Sequence, residues 1–345
     1  MRRMCLADHG ISGSNGGGDI RIGGGIQGGE GLMQAVRTYV GPGAVVSADA
    51  TVNGNGGSVV VYSKDATVIG GQLNARGGVA GGNGGFIETS GANGFAIASV
   101  PDVTARHANS SGGTWLIDPN NITIVSTEDV ASNINDASPF ATSNDNAQLG
   151  VNLIQQALTG GANVTITTGA AGADTEAGNI TWNADADLDY DGTGSNSLTL
   201  NAVGGITING DILDLTAAGT DLLNLSLLAG TSITLNSAIN LGGGDAVLTA
   251  GNGAITQPGG SITADLLTAN ATAGVTLMTN VNSLSVVNSG VAGNIAITEA
   301  NGLTVASLVN AAAAGQISLV STTGNIEHNH GPEQRQDHNL PQTTT

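Results

Sequence analysis

Short runs of apolar residues and threonine alternate with clusters of glycine, asparagine and serine along most of the chain. Between Gly81 and Ile124 these runs are only two to four residues long, as in Phe86-Ile87 and in Trp115 to Ile117. They are too closely spaced for helices and too regular for a disordered chain. Glycine and asparagine accept positive φ at tight corners, whereas Val, Ile and Thr suit a pleated surface. The pattern therefore predicts short buried strands joined by turns.

The composition limits the kind of core that these strands can build. Of 345 residues, 55 are glycine and only 2% are aromatic, which argues against a large globular core. A hydrophobic content of 40% with only 10% charged residues argues equally against disorder. Both facts together predict a narrow core made of small and β-branched side chains.

The chain becomes periodic after Leu198. One apolar series recurs every 20 to 22 residues and contains Leu213, Ile233, Ile255, Val275, Ile295 and Ile317. A second series runs between its members and contains Leu225, Val247, Leu267, Val287 and Leu308. Two interleaved series predict two strands per repeat, and this repeat length predicts one coil of a right-handed parallel β-helix. A β-sandwich is the alternative, because strands spaced by about 8 to 12 residues also suit that fold.

Two motifs carry a resemblance to a known family. The sequences GGFIETSG (Gly84 to Gly91) and GGTWLIDPNNITI (Gly112 to Ile124) resemble the paired GGF-E-SG and LLDP-ITI signatures of filamentous haemagglutinin-type exoproteins. These are large secreted adhesins of two-partner secretion systems. The upstream segment from Gly17 to Gly78 is similar to the same family in order and spacing.

The resemblance implies a role rather than a chemistry. A member of this family is expected to be secreted or held at the bacterial cell surface, where a rigid β-helical stalk contributes to cell adhesion or haemagglutination. Its implied partners are host-cell or surface glycans or proteins, together with an outer-membrane secretion partner for the full-length protein. No cofactor and no catalytic residue set come with the resemblance.

Two other functions remain open, namely a β-helical carbohydrate-active enzyme and a self-associating biofilm matrix protein. An enzyme of that class needs clustered carboxylates or a basic residue at the reacting sugar. We expect no two carboxylates at matching positions of adjacent coils in the periodic half, and no Lys or Arg lies between Arg106 and Arg335. The sequence therefore favours a protein that is not an enzyme. An ice-binding face is not expected either, because Thr165-Ile-Thr167 is not repeated as a threonine ladder.

The sequence divides into four regions by its rhythm. Residues 10–125 carry the family-like motifs, residues 126–163 form an insertion, residues 164–326 contain the repeats, and residues 327–345 form a polar tail expected to be disordered.

The insertion is predicted to contain one helix, over residues 144–158. Asn144 or Asp145 would be the N-cap, and Gly160 and Gly161 would end the helix. Its apolar face contains Leu149, Leu153, Ile154, Ala157 and Leu158.

Charge and cysteine content exclude several partners. The net charge of −19, with Lys64 as the only lysine, provides no basic patch for nucleic acid or for an anionic membrane surface. Cys5 is the only cysteine, so an internal disulfide and a cysteine-based metal site are both excluded. No apolar run reaches the length of a membrane span. The first residues lack the apolar core of a signal peptide, so this chain is expected to have no export signal and to begin inside a longer protein.

Three acidic residues form the best candidate for a metal site. Asp187, Asp189 and Asp191, followed by Gly192, match the opening of a calcium loop, but the twelfth position holds Leu198 where a bidentate Glu belongs. The favoured alternative is a strand whose carboxylates face solvent while the residues between them, Ala186, Leu188 and Tyr190, face the core.

Two weaker patterns complete the candidates. His328, His330, Glu333 and His338 are zinc or nickel ligand types, but they lie in the polar tail and no physiological metal is expected there. Gly23, Gly25 and Gly28 match a dinucleotide-binding glycine pattern without the strand, helix and second strand that the pattern requires.

Overall fold

The main sheet is a continuous parallel ladder in which each strand pairs with the strand one coil later. The structure is a computed structural model that describes residues 9–126, 134–135, 140–142, 146–169, 177–192, 194–215 and 221–328. Every pairing in the main sheet is parallel, as a β-helix requires. The predicted parallel β-helix is confirmed, and the β-sandwich alternative is wrong because its strands would pair antiparallel.

The first row of strands runs through the whole described structure. Its members are Asp19–Ile22, Ser58–Ser63, Phe86–Gly91, Thr114–Ile117, Asn163–Thr167, Ser195–Ala202, Leu222–Ala229, Ala246–Ala250, the second half of Ile262–Ala271, the end of Val275–Asn288, Leu303–Asn310 and Ile326–His328.

Two further rows form the other sides of the coils. The second row contains Asn121–Val125, Ile180–Trp182, Ile206–Ile208, Ile233–Leu235, Ile255–Thr256, the start of Val275–Asn288, Ile295–Glu299 and Ile317–Ser321. The third contains Leu188–Asp189, Ile212–Leu213, Ile239–Asn240 and the start of Ile262–Ala271. In the earlier coils the corresponding sheets are Arg37–Val40 with Ala66–Ile69 and Gly94–Ile97, and His9–Gly10 with Val45–Ser47 and Gln72–Asn74. Three strands per coil replace the predicted two.

The predicted apolar series are partly confirmed. Ile233, Ile255, Val275, Ile295 and Ile317 align in one row as expected. Leu213 does not belong to that row, since Ile206 is the residue that aligns with Ile233.

The second series is wrong at three positions. Ala246 takes the place predicted for Val247, and Leu284 takes the place predicted for Val287. Leu308 aligns with Val286 after a register shift instead of with a residue of the predicted series. Even spacing misassigned Val287 and Leu308 because Val275–Asn288 runs as one uninterrupted strand through more than one row. Val247 was misassigned because the coil from Leu225 to Ala246 is one residue shorter than the spacing predicts.

Paired glycines explain how the early coils stack so closely. The pairs Gly17-Gly18, Gly56-Gly57, Gly84-Gly85 and Gly112-Gly113 each precede a strand of the first row. A Cβ placed on Gly85 would lie 2.1 Å from the carbonyl oxygen of Gly57, and one on Gly113 would lie 1.9 Å from that of Gly85. No side chain fits between these backbones, which leaves glycine as the residue that the corner requires.

Asparagine and aspartate side chains link the corners of successive coils. Asn55 accepts the backbone N–H of Asn83 at 2.9 Å, and Asn83 accepts that of Ser111 at 3.0 Å. The same bond recurs later in the chain, where Asn224 accepts the backbone N–H of Asp245 at 3.0 Å. These bonds satisfy backbone donors where the chain leaves the ladder, so the polar corner residues stabilise the stack.

The insertion contains a shorter helix than predicted. The helix is Val151–Thr159 with Gly150 at its N-cap, and the preceding residues Asn146–Gly150 form a strand that pairs with Asn121–Val125. Four residues of the predicted apolar face are buried in the helix, namely Leu153, Ile154, Ala157 and Leu158, whereas Leu149 lies in the strand. The predicted caps Asn144 and Asp145 lie outside the described residues.

Three short elements complete the described structure. Ile134–Asn135 and Ala141–Thr142 form a small antiparallel pair, and Ile26–Gly28 forms one 3₁₀ turn. Glu327 and His328 belong to the last strand, so the described structure includes the first two residues of the predicted tail. Among the described residues no helix is long and apolar enough to cross a membrane.

The register can be tested with adjacent residues of one strand. Val275 is 1% exposed, whereas Thr276 faces outward. Val275→Asp would bury an unpaired charge and should lower the free energy of unfolding by about 3 kcal/mol or more. Thr276→Asp should change it by less than about 0.5 kcal/mol. Urea denaturation of both variants measures the difference, and equal stabilities would refute the register.

The glycine corners can be tested by adding one methyl group. Gly85→Ala should destabilise the protein by more than about 2 kcal/mol, because the added carbon meets the Gly57 backbone. Gly43→Ala is the matched control, since a Cβ there has no neighbouring atom within 4 Å. The thermal midpoints of the two variants decide the question, and an unchanged midpoint for Gly85→Ala would contradict the close packing.

Candidate functional site

A loop formed by residues 23–36 lies over the outer face of the first row of strands. Arg21 at the base of this loop donates to Glu30 through Nε at 2.8 Å and through Nη2 at 3.2 Å. Its third nitrogen donates to Ser58 Oγ on the next coil at 2.9 Å. Gly28 packs so closely on the Tyr62 ring that a Cβ there would lie 2.7 Å from the phenol oxygen. The 23–36 loop is thus held to two successive coils.

The loop covers the carboxylate of the GGFIETSG motif. Ile87 belongs to the core, so Glu88 points away from it, yet Glu88 is 0% exposed. The backbone N–H of Gln27 donates to both carboxylate oxygens of Glu88, at 3.0 and 3.1 Å. Burial raises the pKa of Glu88 to about 7. The hydrogen bonds from Gln27 and Ser90 lower the pKa and so oppose part of this rise. Glu88 therefore carries a proton in a large fraction of molecules at neutral pH.

The carboxylate of the LIDP motif lies on the next coil. Asp118 directly follows the strand Thr114–Ile117, which pairs with the strand of Glu88 on one side and with that of Thr167 on the other. The Thr167 hydroxyl donates to Asp118 Oδ1 at 2.6 Å, and the Gln27 amide Nε2 donates to Thr167 Oγ1 at 3.3 Å. We call Gln27, Glu88, Asp118 and Thr167 the loop cluster.

Burial dominates the electrostatics of the loop cluster. It raises the pKa of Asp118, while hydrogen bonds from Thr167 and Gln27 oppose the rise. The charge of Asp118 also raises the pKa of Glu88. Asp49 shows what a cationic partner does instead: burial alone would raise its pKa, but the hydrogen bonds from Arg76, one of them 2.6 Å long, lower it. The loop cluster has no such ion pair among the described residues.

This geometry permits proton exchange and nucleophile activation inside the protein. A carboxylate that accepts a hydroxyl proton at 2.6 Å is placed as a general base. Glu88, Asp118 and Thr167 are each at most 9% exposed. An outside polysaccharide cannot reach the pair of carboxylates while the 23–36 loop lies over them.

The three aspartates of the calcium candidate lie on an exposed face. Asp187, Asp189 and Asp191 are exposed, whereas Ala186, Leu188 and Tyr190 are 0% exposed. The alternation predicted for a strand with solvent-facing carboxylates is confirmed. Asp187 Oδ1 accepts the backbone N–H of Asp211 at 2.9 Å, as at the other corners. Within the described ranges no three carboxylate, histidine or cysteine side chains form a metal-binding group.

That contact also corrects one prediction. Asp187 and Asp211 occupy matching positions of adjacent coils, because the following residues Leu188 and Ile212 pair in the ladder. Carboxylates at matching positions were not expected in the periodic half. Both side chains bind backbone amides of the following coil, and Asp211 Oδ1 accepts the N–H of Ala238 at 2.9 Å.

A threonine ladder lies on the outer face of the second row, where none was predicted. It consists of Thr123, Thr181, Thr207, Thr234, Thr256 and Thr276, which align from coil to coil. Thr165-Ile-Thr167 does not indicate this ladder, because the segment belongs to the first row and the ladder uses one threonine per coil of the second row. Five of these threonines follow a buried isoleucine and Thr276 follows the buried Val275, so the repeated Ile-Thr pairs in the sequence indicate the row.

The remaining candidates do not form a described site. His328 lies in the last strand, and His330, Glu333, His338 and Cys5 lie outside the described residues. Gly23 and Gly28 have positive φ and belong to the loop over Glu88. These glycines therefore allow the turns of the loop, and a 3₁₀ turn stands where a dinucleotide-binding fold would need a helix.

The loop cluster itself was missed at the sequence level. Glu88 and Asp118 are visible in the two motifs, but Gln27 is far away in sequence and Thr167 lies beyond the insertion. Only the stacking of coils brings the four residues together. Neither protein-family models nor curated protein sequences match the chain.

The raised pKa of Glu88 predicts a pH-dependent stability. Between its unfolded value of 4.5 and about 7, the folded protein holds a proton that the unfolded chain has lost. The protonated Glu88 thereby contributes on the order of 3 kcal/mol to the free energy of unfolding, which is fully present below pH 4.5 and is lost as the pH rises through 7. Glu88→Gln should remove it and flatten the stability profile between pH 5 and 8. An unchanged slope in urea titrations at several pH values would contradict the assignment.

Proposed function

We propose that this chain is a β-helical stalk segment of a secreted or surface-associated bacterial adhesin. The observation that carries the proposal is the uninterrupted parallel ladder, whose first row contains strands from Asp19–Ile22 to Ile326–His328. At about 4.8 Å per coil, this row accounts for a length of about 50 Å. A stack in which every coil is bonded to its neighbours resists bending, which suits a part that holds a binding surface away from a cell.

The two motifs that resemble filamentous haemagglutinin-type exoproteins support this proposal. They supply successive strands of the first row and include the glycine pairs on which the stacking depends. In this interpretation the motifs serve the stalk itself. The full-length protein would then reach the surface through an outer-membrane secretion partner, as the resemblance implies.

The closure of the loop cluster argues against the alternative of a carbohydrate-active enzyme. Such an enzyme needs its two carboxylates open to the sugar. Glu88 is instead fully buried, with both oxygens bonded to Gln27, and Asp118 is committed to Thr167. We therefore propose that the chain has no glycan-cleaving activity.

The threonine ladder is the surface that suits adhesive contacts best. Its hydroxyl groups recur at about 4.8 Å along the stalk and can each donate and accept a hydrogen bond. A glycan or an extended protein segment would gain from many weak, regularly spaced contacts of this kind. No basic residue is needed for a neutral glycan.

Beads coated with the purified chain test the proposal. They should bind host cells or agglutinate erythrocytes, and Thr207→Val with Thr234→Val should weaken binding severalfold without unfolding the chain. Ser226→Val is the matched control on the outer face of the first row. Absence of binding for the wild type would contradict an adhesive role.

Two assays separate the alternatives. Release of new reducing ends from polysaccharides would favour the enzyme. Sedimentation velocity that shows growing assemblies as the protein concentration rises, with no binding to cells, would favour the self-associating matrix protein.

A further inference from the structure

The contacts of the loop cluster place a nucleophile, a base and an acyl group in one chain of hydrogen bonds. The Thr167 hydroxyl donates to Asp118 and receives a hydrogen bond from the Gln27 amide nitrogen. Asp118 also accepts a hydrogen bond from the Gln27 side chain. The amide carbon of Gln27 is one bond, about 1.3 Å, from the nitrogen that touches Thr167. Because this nitrogen lies between them, the carbon is about 4 Å from the hydroxyl oxygen, and the side-chain amide has to rotate about Cγ–Cδ to bring it within the roughly 3 to 3.5 Å that attack requires.

We propose that Gln27 and Thr167 form an intramolecular ester cross-link, in which the Thr167 hydroxyl displaces ammonia from the side-chain amide of Gln27. The inference does not depend on the adhesin proposal.

The reaction balances within these residues. Thr167 Oγ1 attacks Cδ of Gln27 and forms the new C–O bond while Asp118 takes the hydroxyl proton. The tetrahedral intermediate collapses by breaking the Cδ–Nε2 bond, and Asp118 returns the proton to the leaving nitrogen. One C–O bond and one N–H bond replace one C–N bond and one O–H bond. The products are the ester and ammonia, and no oxidant or further reactant takes part.

Two features favour this reaction over hydrolysis. Once the amide has rotated into line with the hydroxyl, fixing the two groups in one structure corresponds to an effective concentration of roughly 10⁵ to 10⁸ M. Ammonia then leaves the protein and becomes protonated in neutral solution, which draws the reaction forward. Thr167 and Asp118 are each 9% exposed, which limits water at the nucleophile and the base, whereas Gln27 itself is exposed.

Glu88 acts as a positioning residue because it holds the backbone of Gln27 rather than the reacting atoms. Both of its oxygens accept the Gln27 N–H. Gln27 has φ 51° and ψ 35°, a left-handed conformation that non-glycine residues rarely adopt. Such a conformation persists only where the surroundings fix it, and strained residues cluster at functional sites. In this conformation the Gln27 side chain lies within hydrogen-bond distance of Thr167.

Intact mass spectrometry of the full chain under denaturing conditions tests the proposal. The cross-linked protein should be about 17 Da lighter than its sequence mass, the mass of one ammonia. An Asp-specific protease should then yield one product that contains both Gln27 and Thr167, which hydroxylamine splits. Trypsin is unsuitable because no Lys or Arg lies between Arg106 and Arg335.

Matched variants separate the ester from other losses of ammonia. Asn-Gly sequences such as Asn83-Gly84 can lose the same mass by forming a succinimide, but that loss persists in Thr167→Ala. Thr167→Ala and Asp118→Asn should both lack the linked product. Thr165→Ala, two residues away on the same outer face, should retain it. Glu88→Ala should lower the linked fraction at least tenfold, and Glu88→Gln, which keeps an acceptor oxygen, should restore it.

The proposal fails if folded wild-type protein at neutral pH has its full sequence mass. It also fails if the lost mass maps away from Gln27 and Thr167. Should Thr167→Ala misfold by circular dichroism, the conservative Thr167→Ser decides instead, since a folded serine variant without the linked product contradicts the mechanism.

Discussion

The close approach of successive backbones is the constraint on which the rest of the structure depends. A coil can bond to the next one only if the chain returns to the same place, and at the glycine pairs the backbones meet with no room for a side chain. Asparagine and aspartate side chains satisfy the amides that leave the ladder there. The core between the rows can then be narrow, so small and β-branched side chains fill it and few aromatic residues are needed. Trp115 and Trp182 are fully buried exceptions.

Stacking also converts distant sequence positions into neighbours. Side chains at one position of consecutive coils form rows on the outer face, and the chemistry of a row depends on which residues fall in register. The threonine ladder is such a row, with one hydroxyl per coil. Glu88, Asp118 and Thr167 come together for the same reason, because each lies in or directly after one of three successive strands of the first row. The 23–36 loop then adds Gln27 from an earlier coil and covers the other three residues, while Gln27 itself is exposed.

The sequence predicts those parts of the structure that depend on interactions between residues close in the chain, and it does not predict those that depend on distant ones. Periodicity and turn residues are local, so the parallel β-helix and the row of Ile233, Ile255 and Val275 are predictable. Register at Leu284 is not predictable from spacing, because the corner after Thr279 disappears into one long strand. The start of the helix moved to Val151 because pairing with Asn121–Val125 outweighed the helical pattern of the preceding residues. The loop cluster needs the path of a fourteen-residue loop, which composition and spacing do not determine.

Distances between spin labels test the stacked-coil account most directly. In a variant with Cys5→Ser, one label at Ser318 pairs in turn with a label at Thr181, Thr207 or Thr234, all in the second row. These positions are six, five and four coils from Ser318, so the account predicts backbone separations of about 29, 24 and 19 Å. A stepwise decrease of about 5 Å per coil would support the stack. Separations that fail to decrease in this order would contradict it.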